Sequence, residues 1–306
     1  MDKDKRDIVR LQVTMGCRKD CEGCSKFFDC TSPLKQDIYN NPIHNRIKKK
    51  LSSIKYKMAV MSGKGGVGKS TTLVNLVGAL RVMGAKIGAL DSDFYEPTLP
   101  TFFGVKEEEF KAEEREIVPI PSKKGVKVTS VAFTLGDLGY VTWATEQLRW
   151  ALYMFLGGTD WGELDFLFID LPPGTGDETL NVLKAIPDLD GVVIVTIPSD
   201  VAQIVVGRGI SLCKKAGVPI MGVVENMGIL ECPYCDESFN VFKSGGGNRI
   251  SDEMGVKFLG TVPLDYQIAE ASDEGEEYVS KYPDSLGAKT YMKIAGDVAS
   301  QIGYKP

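Results

Sequence analysis

The eight residues Gly63 to Ser70, GKGGVGKS, constrain this chain more than any other stretch. They follow an apolar run, Met58 to Met61, and open a helical pattern, Thr71 to Val82, so strand, glycine-rich loop and helix stand in the order that a phosphate-binding P-loop requires. Gly63, Gly65, Gly66 and Gly68 allow the backbone on either side of Val67 to fold tightly, so that consecutive amides point at phosphate oxygens at the positive end of the helix. Lys69 is then expected to reach the outer phosphates and Ser70 to hold a magnesium ion, with Thr71 closing the nucleotide-binding stretch. Lys64 is a second lysine that an ordinary P-loop lacks. In the deviant form of the loop such a lysine reaches across a two-fold axis to the partner's nucleotide, which makes Lys64 a catalytic candidate and a homodimer the expected assembly.

Two further segments complete the expected site. The apolar run Leu164 to Ile169 ends in Asp170, placed to polarise water bound to magnesium, and DLPPGTGD, Asp170 to Asp177, supplies a glycine loop able to sense the terminal phosphate. The run Lys86 to Leu90 delivers Asp91 and Asp93 within LDSDFYEPTLP; of the two, Asp93 is the candidate for orienting the attacking water.

From Tyr56 onward, strand-like runs at Lys86 to Leu90, Val126 to Phe133, Leu164 to Ile169, Gly191 to Ile197, Val218 to Val224 and Val256 to Val262 alternate with helical patterns. That alternation predicts an α/β fold, a mostly parallel sheet with helices on both faces, with ligands at the carboxyl ends of the strands. Residues 1–55 differ: four cysteines, turn-rich segments and little periodicity suggest a small metal-folded arm and linker, leaving 56–306 as the ATPase domain. Within that boundary the basic stretch Arg46 to Lys57 reads as a solvated linker, and the charge run Lys106 to Glu116 as a surface helix or loop. The pattern Tyr291 to Ile302 reads as a C-terminal helix packed on the domain. A net charge of -5 argues against broad nucleic-acid affinity. The apolar runs are strand-sized and the N-terminus is charged, so the expectation is a cytoplasmic protein with neither membrane span nor secretory signal.

Of seven cysteines, six fall into two tight groups, and in a reducing compartment such spacing speaks for ligation or redox chemistry. Cys17, Cys21, Cys24 and Cys30 suit an iron-sulfur cube wrapped by one loop, with structural zinc as the competing reading. Cys232 and Cys235, in CPYC, are too few for a four-thiolate site; they are redox-active, inert, or shared with a second subunit. Cys213, inside the helical pattern Val201 to Ala216, reads as a buried apolar residue, and His44, the one histidine, leaves no histidine-based centre to build.

With the P-loop, DSDFYEPTLP, DLPPGTGD, VVENM before CPYC, and VPLDYQIAEASDEG in order, the sequence resembles the Mrp and ApbC family of P-loop iron-sulfur cluster carriers from about Lys57 to the C-terminus. The N-terminal cysteines make it similar to the branch with an additional ferredoxin-like cluster. The chain departs from the family at Glu96, where glycine is usual, and in the short interval between Cys17 and Cys21. The resemblance implies a dimeric, slow ATPase that assembles a labile [4Fe-4S] cluster on Cys232 and Cys235 of both subunits and transfers it to apo iron-sulfur proteins. It also implies an adenine contact at Asn226, one cluster per N-terminal arm, and room for a related hetero-partner. An electron-transfer ATPase like the nitrogenase iron protein, or a nucleotide switch of the ParA and MinD kind, are the alternatives.

Overall fold

In the computed structural model, residues 21–24, 26–106, 111–113, 116–134, 145–232, 235 and 237–305 are described. The strands among them are β1 (Ile54–Ser62), β2 (Ile87–Asp91), β3 (Lys111–Glu113), β4 (Glu116–Val118), β5 (Ile120–Pro121), β6 (Lys127–Ser130), β7 (Leu164–Asp170), β8 (Gly191–Thr196), β9 (Ile220–Glu225), β10 (Ile229–Glu231), β11 (Ser238–Asn240) and β12 (Phe258–Thr261). The helices are α1 (Pro42–Leu51), α2 (Lys69–Val82), α3 (Leu99–Phe102), α4 (Thr145–Gly158), α5 (Asp177–Ala185), α6 (Asp200–Ala216), α7 (Gly246–Met254), α8 (Tyr266–Asp273), α9 (Tyr278–Lys281) and α10 (Leu286–Gln301).

Eight strands form one sheet in the order β12-β9-β8-β1-β7-β2-β6-β5, parallel throughout except for β5 against β6. Its strands read as continuous apolar runs because both faces are covered. Along β1, Met58 and Val60 enter one core and Ala59 and Met61 the other; along β7, Phe166 and Phe168 enter the first and Leu167 and Ile169 the second. Helices α2 and α10 pack on the first face, and α4 and α6 cover the second. The expected C-terminal helix is α10, which buries Tyr291, Ile294, Ala295 and Val298 and packs along α2. No helix among the described residues is long and apolar enough to cross a membrane.

Trp161 is fully buried in the second core and closes on β2 at Gly88, where an added methyl would lie 2.8 Å from the indole ring and 2.8 Å from Leu164. Gly88→Ala is therefore expected to overpack this core and cost about 1–3 kcal/mol, read as a lowered midpoint in urea unfolding.

Two expectations change. The stretch from Arg46 is not a solvated linker. Asn41 caps α1 by accepting the His44 amide at 2.9 Å, Pro42 takes the first turn, and Ile47 and Leu51 bury against α4 while Lys48 to Lys50 crowd the last turn, where cations favour the helix dipole. Lys57 lies inside β1, buried and paired with Asp188 (3.3 Å) and Asp190 (3.5 Å). In the charge run, β3 and β4 pair as an antiparallel ribbon where a helix or loop was expected, with Ala112 opposite Ile117. Cys213 is fully buried, its thiol pushed up to about 12 by that burial. His44 sits between the rings of Tyr39 and Tyr153, and burial lowers its pKa.

Candidate functional site

The order of strands, rather than their order in sequence, assembles the site. β7 lies between β1 and β2 with Val60 and Asp91 both in register with Asp170, so the three loops that follow emerge side by side. The Ser92 amide and hydroxyl donate to the Asp170 carbonyl at 3.1 and 2.6 Å, and the Gly174 amide donates to the Ser62 carbonyl at 2.8 Å.

Within the P-loop two glycines have distinct reasons. A Cβ on Gly63 would lie 2.9 Å from Val205 of α6, so the loop passes there only as bare backbone. Gly68 has φ +80°, and a Cβ there would fall 2.1 Å from the Asn226 amide. Asn226 is buried and donates from Nδ2 to the Val67 carbonyl at 2.9 Å, so here it braces the loop backbone. Ser62, Lys64, Gly65, Gly66, Gly68, Lys69, Ser70 and Thr71 line a cleft of about 230 Å³ together with Asp93, Glu96, Thr98, Phe102 and Pro173.

At the base of the cleft Asp170 is almost wholly buried. Its carboxylate accepts from Lys69 Nζ at 2.5 Å and from the Ser70 hydroxyl. A hydroxyl and a carboxylate oxygen in contact are the donor types that a hard divalent cation takes, so the residues fit magnesium. Asp91 and Asp93 separate in role. Asp91 is fully buried below the cleft and accepts from the amides of Leu99 (3.1 Å) and Asp93 (3.2 Å) and from the Ser130 hydroxyl (3.3 Å), which pins the loop. Burial foremost, and the charge of Asp170 next, push it up to about 7. Asp93 faces the cleft, accepts the Glu96 amide at 3.3 Å, and is raised by burial, which makes its carboxylate a better base. Phe102 lies outside every motif, and Thr98 and Pro173 sit inside DSDFYEPTLP and DLPPGTGD without a role that their residue type announces; the packing of α3 and the loop before α5 brings them to the cleft.

Apart from Cys213, the described cysteines divide between two places. Cys21, Cys24 and Cys30 lie on successive tight turns, with Cys24 N to Cys21 O at 3.4 Å, Phe27 N to Cys24 O at 3.3 Å and Cys30 N to Phe27 O at 3.3 Å. Cys17 lies outside the described residues. The Ser32 amide donates to Cys30 Sγ at 3.4 Å, a contact that supports thiolate sulfur, and the donor set as a whole suits a soft metal group. Among the described residues, no three Cys, His, Asp or Glu side chains are gathered closely enough to hold a metal ion. Cys232 and Cys235 sit at the tip of the β10–β11 hairpin, closed by Cys232 N to Glu237 O at 2.9 Å, with Cys235 exposed. Phe239, Val241 and Phe242 beside them are also exposed.

A parallel sheet with a strand–P-loop–helix unit at its centre and acidic residues at the ends of β7 and β2 defines a P-loop NTPase. The pattern of the ParA family described as NUBPL iron-transfer P-loop NTPase matches residues 53–299, and the chain belongs to that family. It is 40% identical over 287 residues to the iron-sulfur cluster carrier protein of Methanococcus maripaludis, covering 94% of this chain and 98% of that one. The nucleotide-binding protein of Archaeoglobus fulgidus, solved with ADP, is similar at TM-score 0.67 and 33% identity, over 80% of this chain and 98% of that chain. The cell-division ATPase MinD of Pyrococcus furiosus shares the fold at TM-score 0.60 and 24% identity, over 81% of this chain and 99% of that chain.

Proposed function

We propose that this chain is an ATP-dependent iron-sulfur cluster carrier: it holds a labile [4Fe-4S] cluster between the CPYC hairpins of two copies and passes it to apo iron-sulfur proteins under control of nucleotide. In this reading Gly63 to Thr71 bind the phosphates of ATP, and Lys69 neutralises their charge. Ser70 and Asp170 hold magnesium, Asp170 through water. Asp93 orients the attacking water, and Lys64 reaches the partner's nucleotide. Magnesium supplies charge neutralisation at the phosphates when bound. The cluster is cargo, carried by Cys232 and Cys235 of each copy, and the exposed aromatic side chains next to them give the two copies an apolar surface to share. Cys17, Cys21, Cys24 and Cys30 hold a second cluster within one chain.

One observation carries the coupling. Asn226 joins the P-loop to the cluster hairpin: its side chain holds the Val67 carbonyl, and six residues onward its own chain reaches Cys232. Met227 between them has φ 57°, a left-handed conformation unusual for a non-glycine residue and sustained here by bonds on both sides, Asn226 N to Thr196 O at 2.8 Å and Gly228 N to Val262 O at 3.0 Å. A ligand that shifts the P-loop thus acts on a short, strained connection to the thiols. The test is the rate of cluster transfer from anaerobically reconstituted protein to an apo-ferredoxin, with and without Mg-ATP. A change of roughly fivefold or more is expected, and a nucleotide-independent rate would leave only a cluster-binding protein.

A further inference from the structure

Lys184 stands in the last turn of α5 and is 3% exposed, a burial that an ammonium tolerates only when its donors are used. It donates to the carbonyls of Glu22 at 3.0 Å and Cys24 at 2.8 Å, and its Nζ lies 5.3 Å from the centre of the Phe27 ring. Lys35 donates to the Cys30 carbonyl at 2.7 Å and lies 5.6 Å from the same ring. The Glu22 carboxylate accepts from Asn41 at 3.0 Å and pairs with Arg149 of α4 at 3.7 Å. The turn that carries Cys21 and Cys24 is thereby fastened to the sheet domain, and the buried fastening is a cation from α5.

The other end of α5 belongs to the nucleotide loop. The helix begins at Asp177, the last residue of DLPPGTGD; Thr179 donates to the Gly174 carbonyl at 3.1 Å, Gly174 is bonded to Ser62 below the P-loop, and Pro173 lines the cleft. Nine helical residues span about 13 Å and move as a rod. A shift of the loop at Gly174 is therefore delivered at the carbonyl of Cys24.

We propose that α5 couples the nucleotide loop to the cysteine arm, with Lys184 as the positioning residue whose hydrogen bonds to Glu22 and Cys24 set the arm according to the nucleotide bound. The inference rests on the reading that the arm holds a metal cluster, but its mechanical part is measurable with or without metal. Hydrogen–deuterium exchange of the amides in residues 21–32 is followed in the full chain, both reconstituted and metal-free, with no nucleotide, Mg-ADP and Mg-ATP. In the wild type, exchange should differ between nucleotide states by roughly fivefold or more. Lys184→Met keeps the apolar stem on Phe27 but removes the donors; ATP affinity should hold while the difference between nucleotide states collapses, and Lys184→Arg should restore it. A purely structural anchor would instead raise exchange equally in every state. Thr179→Val, which cuts the tie at the opposite end of α5, should collapse the difference in the same way and serves if the Lys184 variant does not fold. Equal exchange in all states of the wild type, or a full difference in Lys184→Met, overturns the coupling. Iron and sulfide content of a Cys232→Ala, Cys235→Ala double variant reports separately whether the arm carries a cluster.

Discussion

Lys69→Ala should abolish useful nucleotide binding. The substitution removes the cation bonded to Asp170 at the base of the cleft, leaving a carboxylate only 1% exposed without that charge partner at the place where triphosphate oxygens must approach. Loss of a charge-assisted contact in such a setting costs about 3 kcal/mol or more, roughly 150-fold in Kd for Mg-ATP by calorimetry. The same variant should lose the rise in Tm that saturating Mg-ATP gives the wild type, since a ligand stabilises only the state it binds. Unchanged affinity would mean that the phosphates sit elsewhere and that the ion pair is structural.

On the proposed reading, Cys235→Ala should remove the bridging cluster and leave the arm's intact. Cys235 is exposed at a hairpin tip, so the fold should keep its stability to within about 0.5 kcal/mol. The proposed homodimer, however, would lose one thiolate per subunit and retain two in place of four, too few to hold a cube. Iron and sulfide should fall by roughly one cluster per dimer, with ATP affinity unaltered. Unchanged iron content would place the labile cluster elsewhere, and loss of all iron would tie the arm's cluster to the hairpin.

Much of the candidate site is legible in the chain. A P-loop is a local device: its glycines, its lysine and its serine act within one turn of backbone, and their spacing survives as a readable string from Gly63 to Ser70. The strands around it were legible for a related reason, because a parallel sheet covered on both faces demands uninterrupted apolar runs such as Phe166 to Ile169. Segments that mix signals are less legible. In α1 the lysines of the last turn masked the buried positions Ile47 and Leu51, and an Asn-Pro pair that reads as a turn serves here as a helix cap. The β3–β4 ribbon was hidden by its charge, since three-residue strands are too short to show a period.

The sequence by itself determined which chemistries are present: a phosphate loop with two lysines, carboxylates at strand ends, and cysteines in two groups. Only the tertiary structure decided who meets whom. Placing β7 between β1 and β2 set Asp170 against Lys69 and Ser70, left Asp93 facing the cleft, and sent Asp91 beneath it as a pin. It also put Asn226 against the P-loop and Lys184 against the cysteine arm, contacts between residues 159 and 160 positions apart. Such contacts leave no trace in local pattern, because a buried amide or ammonium is held by carbonyls that every residue carries. Its partner is chosen by the packing of whole elements, not by the identity of the residue it touches.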